Sequence, residues 1–61
     1  MRLERWVRES RNRRSCRDEF GRKVTIVKRK KDLMKYRVYI SGFRHGYFNT
    51  LRDALKYLSG L

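Results

Sequence analysis

The sequence contains no proline, one cysteine, one histidine and six acidic residues among 61 positions. Because Cys16 is the single cysteine, an intramolecular disulfide is excluded, and one Cys with one His excludes the usual four-ligand zinc site. No apolar run approaches the ~20 residues that a membrane-spanning helix needs, and the charged N-terminus predicts no signal peptide. A chain this short forms one small domain and buries only ~60% of its unfolded surface. These limits exclude a large catalytic domain with a separate cofactor domain.

The sequence also has few of the patterns that accompany catalysis. The four glycines are isolated, so there is no glycine-rich phosphate loop, and no nucleophile stands at a recognisable spacing from a base. Cys16 lies in a run of arginines, which would lower the pKa of a thiol, but it belongs to no redox or nucleophile motif. We therefore expect no enzyme activity, no catalytic residue, no metal site and no cofactor.

Positive charge is the dominant feature of the composition. The chain has 18 Lys and Arg residues against six Asp and Glu residues, which gives a net charge of +12. Self-repulsion of this size opposes folding, so it predicts a polyanionic partner that neutralises it. Nucleic acid is the first such partner, before an acidic protein or an anionic membrane. The cysteine usage indicates an intracellular, cytoplasmic protein, and a DNA-binding protein would lie at the nucleoid.

Residues 1–22 hold eight Arg and no Lys, and they predict an Arg-rich N-terminal arm or a short helix. Leu3, Trp6 and Val7 share one side of a helical turn, where Trp6 is interpreted as a packing anchor. Residues 10–17 carry almost no apolar side chains. Their arginines predict either a flexible tail that contacts phosphates or the minor groove, or a solvated linker. The predicted contacts in this tail are Arg11, Arg13 and Arg14.

The pattern of residues 23–61 predicts three strands followed by one helix. Residues 23–29 are rich in β-branched side chains. Residues 35–41 alternate between side chains for a buried face and side chains for a face in water. A short third strand follows at residues 46–48, and an apolar stripe after an N-cap predicts a helix over residues 50–59. The expected fold class is α+β: a three-stranded antiparallel sheet packed on one C-terminal helix (βββα), with a basic N-terminal extension. The predicted core comprises Val24, Ile26, Tyr36, Val38, Ile40, Phe48, Leu51, Ala54, Leu55 and Leu58.

One helix covers only one face of such a sheet, so the other face meets solvent or a partner. In the register that the alternation predicts, this open face is basic and aromatic, with hydroxyl groups between the charges. Arginine can bond guanine in the major groove, lysine neutralises phosphate, and tyrosine can stack on unpaired RNA bases. A solvated basic surface is the alternative interpretation. The predicted nucleic-acid contacts are Thr25, Arg29, Lys31, Lys35, Arg37, Tyr39 and Tyr47.

The stretch of residues 47–58 reads YFNTLRDALKYL: aromatics, a Thr, polar residues, then Ala and an aromatic–leucine ending. Together with the three strands, residues 21–58 resemble the N-terminal arm-type DNA-binding domain of tyrosine-recombinase integrases. The resemblance implies three strands plus a helix, with the sheet in the major groove of duplex DNA. The contacts that it implies by position are Arg29, Arg37, Tyr39, Thr25 and Tyr47. Without the recombinase catalytic domain, and with an Arg-rich extension, the chain resembles a free-standing phage- or mobile-element-type protein.

The sequence thus predicts a small basic protein that binds duplex DNA on the open face of its sheet, in a regulatory or recombination accessory role. Two other functions stay open. The same charge suits a mobile-element protein that inhibits an acidic host protein, with Trp6 and Phe43 as apolar anchors. It also suits an RNA-binding or ribosome-associated protein. A membrane-surface peptide is disfavoured, because the sheet needs the apolar face of the predicted helix. No feature specifies a target sequence or an oligomeric state.

Overall fold

The strands of the sheet lie side by side in the order in which they occur along the chain. The computed structural model describes residues 1–31 and 33–61, which form five antiparallel strands and a C-terminal helix. Each strand pairs with the one before it, in the order β1-β2-β3-β4-β5. The elements are β1 Val7–Ser10, β2 Arg13–Arg17, β3 Lys23–Lys28, β4 Tyr36–Ile40, β5 Phe43–Phe48 and α1 Leu51–Ser59.

The three-stranded sheet predicted from the sequence is wrong, although the structure is a sheet with a C-terminal helix. The two additional strands, β1 and β2, lie where the sequence suggested an arm or a short helix. All five residues of β2 pair with β3, including Cys16 opposite Val24. Without β2, the edge of β3 would expose a row of unpaired backbone groups, which a neighbouring segment satisfies by pairing. The Arg-rich segment therefore completes the sheet.

Alternation along β3 and β4 divides the sheet into two faces in the predicted register. Val24 lies opposite Ile40 and Ile26 lies opposite Val38, and these buried side chains face α1 on what we call the helix side. The other face, which we call the open face, carries the intervening side chains of each strand. Its central residues are Arg13, Ser15, Thr25, Val27, Arg37, Tyr39 and Tyr47.

The buried core lies between the helix side of the sheet and α1. Its members are Cys16, Val24, Ile26, Val38, Ile40, Ala54 and Leu58. Partly buried side chains packed against it are Met1, Leu3, Trp6, Tyr36, Phe48, Leu51 and Tyr57. The predicted core is thus confirmed except at Leu55, which is 37% exposed. Trp6 packs against the core, as predicted for an anchor, but from the segment before β1.

The C-terminal helix begins and ends as its sequence predicts. The hydroxyl of Thr50 accepts a hydrogen bond of 3.1 Å from the backbone N–H of Asp53, and Gly60 is the C-cap. The helix packs chiefly on β4 and β5, where the rings of Phe48 and Tyr57 lie 5.2 Å apart. The N-terminal side chains of Met1, Leu3 and Trp6 pack against the core as well. Among the described residues, no helix is long and apolar enough to cross a bilayer.

A two-residue turn joins β4 to β5. Ser41 and Gly42 have φ values of 52° and 82°, and they connect the paired residues Ile40 and Phe43. Positive φ at both central positions is the signature of a type I′ turn, whose twist matches that of the flanking strands. The β4–β5 hairpin is therefore a tightly connected two-stranded ribbon at one edge of the sheet.

Candidate nucleic-acid interface

The β4–β5 hairpin gathers two arginines around one tyrosine on the open face. The guanidinium carbons of Arg37 and Arg44 lie 5.2 Å and 4.9 Å from the centre of the Tyr47 ring. Both distances are within the ~6 Å range of a cation–π contact. Tyr47 is 39% exposed, so the group meets solvent. We call Arg37, Arg44 and Tyr47 the Arg–Tyr cluster.

Arg44 was not among the residues predicted to contact nucleic acid, because it reaches the open face only through a β-bulge. Val38 pairs with Gly46, but the register then shifts, so that Tyr39 pairs with Arg44 and not with His45. A bulge of one extra residue exchanges the faces on either side of it. His45 instead lies toward the helix, with its Nδ1 3.4 Å from the hydroxyl of Tyr57. Gly46, which interrupts the strand pattern, was the available signal for the bulge.

A second basic group lies beside the cluster on the open face. Arg13, Arg29 and Tyr39 line a shallow depression of about 330 Å³. Its other lining residues are Ser10, Asn12 and Val27. The structure thus brings the predicted residues Arg29 and Tyr39 together with Arg13, which the sequence had assigned to a tail. Their positions continue the positive surface from β5 across the sheet to β2.

The other predicted contact residues are spread over the molecule. Thr25 is buried (6% exposed) between Ser15 and Tyr39 on the open face, so its hydroxyl has little access to a partner. The remaining predicted positions are exposed. They are Lys31 and Lys35 between β3 and β4, Arg11 between β1 and β2, and Arg14 on the helix side.

The charge of the open face is partly compensated at its β1 end. The carboxylate of Glu9 lies 3.2 Å from the ammonium group of Lys23. Hydrogen bonds from the Ser15 hydroxyl and the Lys23 ammonium lower the pKa of Glu9 below its usual value. At the β1 end of the open face, the positive charge of Lys23 is therefore offset by Glu9.

The thiol of Cys16 is protected by the fold, although arginines surround it in the sequence. Burial, followed by the charges of Asp18 and Glu4, raises its pKa. The thiolate is the reactive form of cysteine. At pH 7 we therefore expect a maleimide to label Cys16 at least about tenfold more slowly in the native protein than in urea. A time course of labelling by mass spectrometry measures this ratio, and equal rates would contradict the buried position.

The comparisons with known proteins define no relatives. No protein-family model, curated protein or solved structure matches this chain. The likeness to the arm-type domain of integrases therefore stays a prediction from the sequence, and the five strands depart from the three that this likeness implies. Among the described residues, no three His, Cys, Asp or Glu side chains lie close enough together to hold a metal ion.

Proposed function

We propose that the protein binds duplex DNA through the open face of its sheet, with the β4–β5 hairpin in the major groove. The observation that carries this proposal is the Arg–Tyr cluster: two guanidinium groups held over the ring of Tyr47. Arginine is the side chain that most often bonds guanine O6 and N7, and it does so with both arms of its planar group. Ordering two such groups on a strand pair reduces the entropy lost on binding.

The width of the sheet supports insertion of only part of it into the groove. Neighbouring strands lie ~4.8 Å apart, so the backbones of five strands span ~19 Å. The major groove is ~12 Å wide and admits a two-stranded ribbon. Five strands are thus wider than the groove, whereas the β4–β5 ribbon is narrow enough to enter it. The β2 and β3 part of the open face, with Arg13 and Arg29, would then rest on the flanking phosphates.

The position of the arginines favours duplex DNA over single-stranded RNA. Bases of single-stranded RNA stack on the exposed faces of aromatic rings. In this protein Arg37 and Arg44 lie over the ring of Tyr47, which leaves less of that ring for a base. The arginines themselves suit the edge of a base pair in the groove. A regulatory or recombination accessory role inside the cell, at the nucleoid, belongs to the same proposal.

Binding is expected to depend steeply on salt. About six phosphate contacts would give a log–log slope of about −5, so raising the salt from about 50 to about 200 mM weakens binding about a thousandfold. We expect the variant R37A/R44A to bind at least about thirtyfold more weakly, because it loses two arginine contacts. Fluorescence anisotropy with a labelled 20-base-pair duplex, an equally long single strand and a structured RNA measures both effects.

The matched control is R52A/K56A, which removes the same charge from the exposed surface of α1. It should bind duplex DNA within about threefold of the wild type, since only the long-range field changes. Equal losses of affinity in the two variants would show that binding depends on nonspecific charge. Tighter binding of the RNA would make the protein an RNA binder. No binding to any nucleic acid would favour an acidic protein partner, for which Phe43, 74% exposed, is the remaining apolar anchor.

A further inference from the structure

A second basic site lies on the helix side of the sheet, in the area that α1 leaves uncovered. It is an open depression of about 410 Å³, which we call the helix-side pocket. Five of its lining residues are cationic: Arg8, Arg11, Arg14, Lys28 and Lys30. Its other lining residues are Ser10, Asn12, Ile26 and Tyr36. Among the described residues that line it, there is no carboxylate.

The cations of this pocket come from two separate stretches of the chain, the β1–β2 hairpin and the residues at the end of β3. Arg8 lies on β1, Arg11 in the turn after it, Arg14 on β2, and Lys28 ends β3. The guanidinium of Arg8 is held over the turn by hydrogen bonds of 3.3 Å and 3.4 Å to the carbonyls of Ser10 and Arg11. The hairpin and the end of β3 thus contribute cations to one concavity, which a solvated charge run does not require.

Two of these cations oppose each other directly. Arg8 and Arg14 are register partners across β1 and β2, and like charges directly opposite in a sheet destabilise it. Lys28 adds a third charge, with its ammonium 5.9 Å from the centre of the Tyr36 ring. The fold therefore accepts a repulsive arrangement at this point. A bound polyanion would remove the repulsion and convert it into attraction.

We propose that the helix-side pocket binds a group of adjacent phosphates, independently of the open face. Guanidinium groups recognise phosphate oxygens with paired hydrogen bonds, and the Tyr36 hydroxyl and Asn12 amide add neutral donors. Five cations match a ligand with several adjacent negative charges better than one inorganic phosphate. Such phosphates occur in free polyphosphates and nucleotides, and in the backbone of a nucleic-acid strand. The pocket goes beyond the proposed DNA-binding function, because it lies on the opposite side of the sheet.

Neighbouring residues of the same strands provide a matched pair of variants. Arg14 and Lys28 face the helix-side pocket, whereas Arg13 and Arg29 line the depression on the open face. The variants R14A/K28A and R13A/R29A therefore remove the same charge from β2 and the end of β3, on opposite sides. If R14A/K28A does not fold cooperatively, R14Q/K28Q removes the charges while keeping polar side chains of intermediate length.

The probe is inorganic tripolyphosphate, titrated into the ¹⁵N-labelled chain and followed by NMR. We expect saturable shifts centred on the amides of residues 10–14 and 28–30, and about tenfold weaker binding for R14A/K28A, which loses two charge-assisted contacts. R13A/R29A should change the affinity less than about threefold. Shifts spread over both faces, or equal weakening of binding in both variants, would contradict the proposal that the helix-side pocket is a phosphate site.

A second titration with a 20-base-pair duplex identifies the source of the phosphates. If the pocket amides shift with excess duplex, and R14A/K28A abolishes those shifts, the pocket takes nucleic-acid backbone. If they shift with tripolyphosphate alone, it takes a free polyphosphate or nucleotide. The two proposals fail separately: loss of the pocket leaves duplex binding on the open face intact, and R37A/R44A tests that face without touching the pocket.

Discussion

Replacing Leu58 by Ala should remove a large part of this protein's free energy of unfolding. Leu58 is fully buried (0% exposed) in the core between α1 and the sheet. Leu→Ala at such sites costs about 2–5 kcal/mol, because apolar surface is lost and a cavity remains. A domain of this length has a total stability of only about 3–9 kcal/mol. We therefore expect L58A to lower the Tm by roughly 10 °C or more, as measured by circular dichroism.

Leu55 provides the control, because it stands one helical turn away on the same helix and is 37% exposed. Its truncation leaves no enclosed cavity, so L55A should cost less than about 1 kcal/mol. Labelling of Cys16 gives a second readout of the same difference, since only unfolding exposes this thiol. If L55A proves as destabilising as L58A, then the helix packs on the sheet with a different face from the one described.

The contrast between these leucines shows how far the sequence pattern could predict the packing of the helix. The stripe of Leu51, Ala54, Leu55 and Leu58 predicts a helix and its apolar side correctly. It does not predict how wide a surface the sheet offers. Because α1 packs chiefly on β4 and β5, Ala54 and Leu58 on one side of the stripe are fully buried, while Leu55 at the opposite margin meets solvent.

The two N-terminal strands were not predictable from local pattern. In β2, Arg13–Arg17, the one apolar side chain is Cys16, so arginines occupy both faces and hide the alternation. The strand exists because its backbone pairs with β3, which is a tertiary effect that overrides weak propensity. In β3 and β4, by contrast, one face is buried along its length, and there the sequence predicted the register correctly.

The candidate interface was predictable to the same extent as its strands. Arg37, Tyr39 and Tyr47 follow from alternation, and they lie on the open face. To predict that Arg44 lies on the same face, one must know of the bulge beside Gly46. The helix-side pocket required β1 and β2, because its cations converge only after these strands pair. The Arg–Tyr cluster thus depends on a bulge, and the helix-side pocket on two strands, that the sequence pattern did not predict.

Asp18 is the second side chain on which the fold depends strongly. It is 1% exposed and lies in the connection between β2 and β3. Its carboxylate accepts hydrogen bonds from the backbone N–H groups of Phe20 (2.9 Å) and Arg22 (2.8 Å) and from Nε of Arg22 (2.6 Å). Burial alone would raise the pKa of Asp18, but these hydrogen bonds, with the charge of Arg22, bring it below its usual value.

We expect Asp18→Asn to lower the Tm strongly at pH 7, because the amide places a donor where Nε of Arg22 needs an acceptor. The lowered pKa means that folding favours the charged carboxylate. Its contribution is therefore complete above the ordinary pKa of an aspartate and is lost as the pH falls through the lowered folded value. The difference in Tm between the wild type and D18N should accordingly shrink as the pH is lowered from 7 to about 2.

Glu9→Gln separates this effect from the general acid sensitivity of a basic chain. Glu9 also has a lowered pKa and an ion pair, with Lys23, but both partners are partly exposed to water, where such pairs contribute little. E9Q should therefore shift the Tm far less than D18N at pH 7. The shift caused by E9Q should also change little with pH. A D18N defect of equal size at every pH would show that the charged form of Asp18 is not what the turn recognises. Equal shifts in E9Q and D18N would assign the acid sensitivity to surface charge, and the β2–β3 connection would then owe its shape to the backbone alone.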